Sequence, residues 1–203
     1  MPARRILVAY GTSYGQTAKI AARIADLLAA AGDVVTLTDV GELPRETGPR
    51  DFAGVIIGAS LIRGGHQRRV RRFVRAHREA LNAMPSAFFS VSGSAAGASE
   101  AQRAAARRCV DELLRETGWR PGLAETIGGS IAYTKYSPLL RWIMKRITAK
   151  EGGPTDTSRD HELTDWAQVE RFAQAFSALV PRAAEARPAG TPPAQQRVEA
   201  QPA

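Results

Sequence analysis

The stretch from Ile6 to Thr17 reads Ile-Leu-Val-Ala-Tyr-Gly-Thr-Ser-Tyr-Gly-Gln-Thr, a short apolar run that passes straight into glycines and hydroxyls. A helix-forming sequence follows it. This order suits the binding of a phosphate. The first turn of a helix leaves backbone N–H groups without partners and carries the positive end of the helix dipole. An anion placed there needs no lysine. Thr12, Ser13 and Thr17 add hydroxyl donors, Tyr14 and Gln16 complete the loop, and Gly15 lets the backbone approach a ligand closely. The segment has no Gly-Lys-Ser/Thr and lacks the three-glycine spacing of a dinucleotide loop. What remains is a site for a monophosphate. A helix N-cap beside a turn glycine would give the same local pattern, so the surrounding elements must decide.

Two further segments have the right composition to hold a flat ring. One contains Ser60, Leu61, Ile62, Arg63, Gly64 and His66; the other is Ser92, Gly93, Ser94, Ala95, Ala96 and Gly97. Both are small and glycine-rich, and they present backbone N–H and C=O groups of the kind a flavin edge requires. Neither contains Trp or Tyr. His66 is the one ring available for stacking, and a polar rim residue is the alternative reading of it. No side chain stands out as a catalytic base, and no spacing suggests a metal site. The single cysteine, Cys109, lies in an Ala-rich helical stretch and reads as a buried structural thiol. One cysteine makes no intramolecular disulfide, which fits a reducing compartment.

The elements that must position these loops follow from hydrophobic patterning. Ile6–Tyr10, Val34–Thr38, Val55–Ala59, Ala87–Val91 and Glu125–Ile131 are expected strands, several of them continuous apolar runs, as in strands buried on both faces. Helices are expected over Gln16–Ala31, Gln67–Leu81, Ala98–Thr117 and Asp165–Leu179, each with one apolar face; Asp165 is placed to cap the last. Strands alternating with helices imply a parallel sheet covered on both sides. Five such strands fit the flavodoxin-like three-layer α/β sandwich with order 2-1-3-4-5, in which FMN sits at the β1/β3 switch point.

The 203 residues suffice for one domain, here residues 1–180. Residues 133–163 are too long for a plain connection and form an insertion before the last helix. Residues 181–203 are rich in Pro, Ala and Gln and read as a disordered tail. The net charge of +8 favours an acidic partner. Part of it lies on the Gln67–Leu81 helix, where Arg68, Arg71, Arg72 and Arg75 share one face without acidic residues between them. A second part lies in residues 133–150, where Lys135, Arg141, Lys145, Arg146 and Lys150 are interleaved with Tyr, Leu, Trp, Ile and Met. That pattern suits peripheral contact with a membrane, or packing on the same domain or a second subunit. No run approaches the ~20 apolar residues of a spanning helix. Ile6–Tyr10 after Arg4 and Arg5 is too short for a signal peptide, so a cytoplasmic location is expected. No nucleic-acid motif is present.

Several segments carry a resemblance. They are Ser13 to Thr17, Val55 to Ser60, Phe73-Val74 with His77, and Met84 to Phe88 with Ser90-Val91. Further along come Trp119-Arg120-Pro121, Ile143-Met144-Lys145, Gly152-Gly153 with Thr155-Asp156-Thr157, and Thr164-Asp165-Trp166. In these, across about residues 5 to 180, the chain resembles the bacterial menaquinone-dependent protoporphyrinogen IX dehydrogenases of flavodoxin-like fold. The resemblance implies FMN as cofactor, a porphyrinogen as substrate, a membrane quinone as electron acceptor and a place on the inner face of the cell membrane. It departs at Ser92–Gly97, which lacks the basic sequence of that family, and at Leu61-Ile62-Arg63, where an Ile-Arg-Tyr-like run is expected. The alternatives are a flavodoxin-type electron carrier without its own substrate and a binding module that has lost the flavin. A homo-oligomer is compatible with all three.

Overall fold

The structure, a computed structural model, describes residues 3–44, 47–62, 64–150 and 152–181. Arg63 of the expected ring-binding loop and all of the expected tail except Pro181 lie outside the described residues.

Its central strands are β1 (Arg5–Gly11), β2 (Val34–Asp39), β3 (Gly54–Ile62), the short β4 (Gly65–His66), β5 (Ser86–Ser92) and β6 (Leu123–Gly128). Across the sheet they run β2-β1-β3-β5-β6, every neighbouring pair parallel, while β4 folds back antiparallel on β3. Counting the long strands alone, this is the order 2-1-3-4-5. The helices are α1 (Gln16–Ala30), α2 (Arg68–Asn82), α3 (Glu100–Thr117), α4 (Pro138–Lys150) and α5 (Trp166–Leu179).

Period-two alternation in each strand feeds two separate cores. Ile6 and Val8 of β1, Ile56 of β3 and Phe89 of β5 face α1 and α5, where they meet Ile20, Ile24, Phe172 and Phe176. Leu7, Val55, Ile57 and Phe88 face α2 and α3, where they meet Val70, Val74, Val110, Leu113 and Trp119. Both faces are apolar because both are covered, which explains the unbroken apolar runs. Each such side chain, taken fully out of water, contributes about 1.5–3 kcal/mol. Close packing sets glycine at Gly58: a Cβ there would stand 2.1 Å from the Phe89 ring.

Arg4 begins the chain's fastening to its own far end. It forms a buried pair with Asp33 (Nε to Oδ1 2.7 Å) and donates through Nη1 to the carbonyls of Ser177 and Val180. Those carbonyls close the C-terminal turn of α5, where backbone acceptors have no helical partners.

Three expectations need correcting. The fifth strand does not run unbroken to Ile131. It ends at Gly128, and Ser130–Ile131 forms a separate strand, β7, pairing antiparallel with β8 (His161–Glu162) inside the insertion. The cause is the returning chain: Leu163 N donates to Gly129 O (2.9 Å), and a Cβ on Gly128 would stand 2.4 Å from Leu163 O. The segment after the third strand is less open than a loop, since Leu61 and Ile62 extend β3 and pair with His66 and Gly65. The basic face of α2 is not without acidic partners. Arg71 and Arg75 both reach Glu116 on α3, and Arg69 pairs with Asp39 at 2.9 Å. The carboxylates come from neighbouring elements, beyond the reach of an i,i+4 reading of one helix.

Candidate functional site

At the C-terminal edge of the sheet, the ends of β1, β3 and β5 open into a cleft of about 680 Å³, within the range of ~300–1,000 Å³ typical of small-molecule sites. The expected phosphate loop, through Thr12, Tyr14, Gln16 and Thr17, closes one end. Gly15 is the N-cap of α1, at φ 98°, and offers no side chain to the first turn; that turn also carries no acidic residue. Gly15 N donates to Thr12 Oγ1 (2.9 Å), which folds the loop on itself, and Arg69 holds the Thr12 carbonyl (2.9 Å).

Thr17 is the informative residue. It is 1% exposed, it lines the cleft, and its Oγ1 has no hydrogen-bond partner among the described residues. A buried hydroxyl left unpaired costs about 1–3 kcal/mol. Together with the uncapped helix start, it fits an anionic oxygen at this end of the cleft.

The other expected residues divide. Thr12, Tyr14, Gln16, Ser60, Leu61, Ile62, Gly64, Ser92, Gly93, Ser94, Ala96 and Gly97 line the same cleft as Thr17. Ser13, Gly15, Ala95 and His66 do not form part of its wall. Ser13 Oγ accepts from Gln67 Nε2 (3.1 Å) and from Ser60 Oγ (3.4 Å), just behind the wall that Ser60 lines. Ala95 N is satisfied by Ser92 Oγ (3.1 Å), an internal brace of the loop.

His66 is neither a stacking ring nor a rim residue. It is 6% exposed, its Nε2 shares a hydrogen bond with Ser90 Oγ (2.8 Å), and its ring meets Phe88 edge-on. Burial, aided by the Arg71 charge, lowers its pKa to about 4. The β3–β4 turn carries it under the sheet, a reversal that the local sequence does not announce.

Cys109 is also corrected. It stands on α3 but is only partly buried and faces the cleft, because α3 flanks the opening at that turn. Desolvation, with Glu112 nearby, pushes its thiol above the ordinary range.

The rings that the two loops lack are supplied elsewhere. Tyr14 of the phosphate loop and Tyr136 of the insertion both line the cleft and meet edge-to-face, centroids 5.0 Å apart. Burial first, then neighbouring charges, raises the Tyr136 phenol above its usual value. The insertion builds the far wall with Leu140, Met144, Ile147 and Pro154. It has its own small core around Ile131, Tyr133 and Tyr136 and is stapled to α1. Gln16 Nε2 donates to Thr164 Oγ1 (2.9 Å), Lys19 pairs with Glu162 (2.6 Å), and Lys135 Nζ donates to the Tyr14 carbonyl (2.7 Å). The signal for this wall was the apolar pattern of residues 133–150. Its inward half was not separable from its outward half without coordinates.

No Asp, Glu, Lys, Arg or His occurs among the described residues of the wall. The titratable groups that do occur are the Cys109 thiol and the Tyr14 and Tyr136 phenols, and burial pushes the first and last of these upward. The described wall is therefore mostly apolar and without charged side chains, with the uncapped start of α1 at one end.

Comparison with known proteins gives a consistent picture. The flavodoxin domain matches residues 7–158. The protoporphyrinogen IX dehydrogenase (quinone) of Escherichia coli strain K12 is 33% identical over 177 residues, 86% of this chain and 96% of that protein. The protein of the same name from Leishmania major is 32% identical over 188 residues, covering 91% of this chain and 79% of the relative. Among solved structures, oxidised Flavodoxin 1 from Bacillus cereus superposes with a TM-score of 0.54 at 15% identity, over 87% of this chain and 99% of that one. That last likeness is one of fold.

Proposed function

This chain belongs to the flavodoxin domain family and, within it, to the protoporphyrinogen IX dehydrogenase (quinone) group, and from that membership we propose an FMN-dependent oxidoreductase that takes hydrogen from protoporphyrinogen IX and delivers the electrons to a quinone. The observation that carries this reading is a cleft that combines an unpaired buried hydroxyl at Thr17 with an apolar wall contributed by the insertion. A simple carrier needs the first and has no use for the second.

Bound FMN would supply an acceptor that takes electrons from one substrate and returns them to another. The chain's part is to bind, orient and exclude water. The Thr17 hydroxyl and the free amides of the first turn of α1 hold the phosphate. Ser60, Ser92, Gly93 and Ser94 provide polar contacts along one edge of a ring system. Leu140, Met144 and Ile147 cover an apolar face from the insertion side. The described wall offers no carboxylate, histidine, lysine or arginine to act as a base.

The quinone brings in the other face of α4. Leu139, Trp142 and Ile143 are exposed there, Trp142 by 56%, and Arg146 lies over the Trp142 ring at 4.8 Å. Arg141, Lys145 and Lys150 flank them. No helix among the described residues is long and apolar enough to cross a membrane. A basic helix with exposed Trp and Leu suits the interface of an anionic bilayer on the inner face of the cell membrane, and its inner side lines the cleft.

An anaerobic assay tests the function. FMN-loaded protein, protoporphyrinogen and a menaquinone analogue should give porphyrin fluorescence well above the protein-free control; fluorescence equal to that control would sink the reading. Vesicle sedimentation tests the surface. Binding to anionic vesicles should fall when Leu139 and Trp142 are both changed to Ser, and binding that is unchanged would remove α4 from the membrane.

A further inference from the structure

Among the described residues three cations border the phosphate loop; two are ion-paired, and the third has Asp160 in its neighbourhood but not within pairing distance. Lys19 pairs with Glu162, and Arg69 pairs with Asp39. The third is Lys135, which has no carboxylate within ion-pair distance among the described residues. Its Nζ donates to the Tyr14 carbonyl, and an ideal Cβ on Gly15 would stand 3.5 Å from it. The ammonium therefore hangs over the N-cap of α1, two residues before Thr17, whose buried hydroxyl is unpaired among the described residues. The short turn that carries it is pinned. Thr134 N and Oγ1 both donate to Asp160 Oδ1, at 2.9 and 2.8 Å. An exposed lysine is costly to hold in one geometry, and this one is held by a carbonyl that alone repays little.

We propose that Lys135, a residue of the insertion, is the counter-cation of the cofactor phosphate, so that the insertion and the phosphate loop close on the same anion. The inference rests on the flavin reading above and adds a binding residue to it. A phosphate dianion at the start of α1 gains the helix dipole, the Thr17 hydroxyl and one full positive charge. The lysine makes the site select phosphorylated over unphosphorylated flavin. It also ties cofactor occupancy to the wall that faces the substrate, since each favours the other by the same amount.

The test titrates the full chain, freed of flavin, with FMN and with riboflavin, following quenching of flavin fluorescence. Lys135→Met should raise the Kd for FMN about tenfold, as expected for loss of one charge-assisted hydrogen bond, and leave the Kd for riboflavin unchanged. Lys135→Arg should restore most of the loss. FMN binding should also lose part of its salt dependence in Lys135→Met. An unchanged Kd for FMN, or an equal loss for both flavins, would overturn the proposal; the second outcome would reduce Lys135 to a strut of the insertion. Wild-type protein that binds neither flavin would remove the flavin reading itself. Wild-type protein that binds both equally would keep the flavin and overturn the role of the lysine.

Discussion

Replacing Thr17 by Val should move two measurements in opposite directions. The side chain is 1% exposed and its hydroxyl has no partner among the described residues. In the flavin-free chain that hydroxyl has given up water for nothing, a cost of about 1–3 kcal/mol. Val keeps the β-branched shape and a similar helix propensity, so the substitution relieves the cost without opening a cavity. Flavin-free Thr17→Val should gain about 1 kcal/mol, which raises the melting temperature by roughly 2–4 °C in a chain of this size. The flavin-bound form should behave in the opposite way. There the hydroxyl donates to a charged oxygen, a bond worth about 1.5–3 kcal/mol, so the Kd for FMN should rise roughly 10- to 100-fold. Differential scanning fluorimetry without flavin and fluorescence titration with FMN read the two effects separately. A variant that melts lower without flavin, or binds FMN as tightly as the wild type, would refute the placement of the phosphate at Thr17.

Other consequences can be checked with simpler assays. Arg4→Met leaves Asp33 buried without its partner and should cost about 3–5 kcal/mol in urea unfolding; Arg4→Met with Asp33→Leu should recover much of that loss. His66, held to a pKa of about 4 by burial and by Arg71, stays neutral in the fold while the unfolded chain takes up a proton near pH 6.5. Between these values the unfolded state binds more protons, so stability falls as pH drops from about 6.5 to 4 and levels off below, by about 3 kcal/mol in all. His66→Gln should flatten that window in pH-dependent denaturation, and an unchanged slope would assign it to another group. Because the described wall of the cleft has no carboxylate or histidine, turnover should be nearly flat from about pH 6 to 8; a bell-shaped profile centred there would require a titrating group the cleft does not show.

The sheet was legible because its physics is local. Apolar runs such as Val55–Ala59 mean burial on both faces, and the alternation of strands with helices leaves few topologies. The start of α1 was legible for the same reason, since Gly15 caps it and Thr17 lies in its first turn. Features decided by returning chain were not legible. Glu116 reaches Arg71 and Arg75 from another helix, His66 is turned under the sheet by the β3–β4 reversal, and Leu163 breaks the fifth strand at Gly129. Tyr136 joins Tyr14 across more than a hundred residues of sequence, a pairing no window on the chain could contain. Cys109 was misjudged because an Ala-rich helix has two packed sides, and only the fold shows that one of them borders the cleft.

The hydrogen bond between Leu163 N and Gly129 O, 2.9 Å long, is also a doorway. Everything between those residues leaves the sheet and returns through it, and Thr164 resumes contact at once by donating to the Gly128 carbonyl at 2.7 Å. A tight turn spans a gap of that width, and closing a loop there adds little entropic cost. The insertion is thus an exchangeable cassette. Cutting at Gly129 and rejoining at Leu163 removes Lys135, Tyr136 and the outer wall together, and with them the Lys19–Glu162 pair and the Lys135 contact to the Tyr14 carbonyl. Exchanging the cassette would alter what the slot admits while the loop beneath it keeps the same anion.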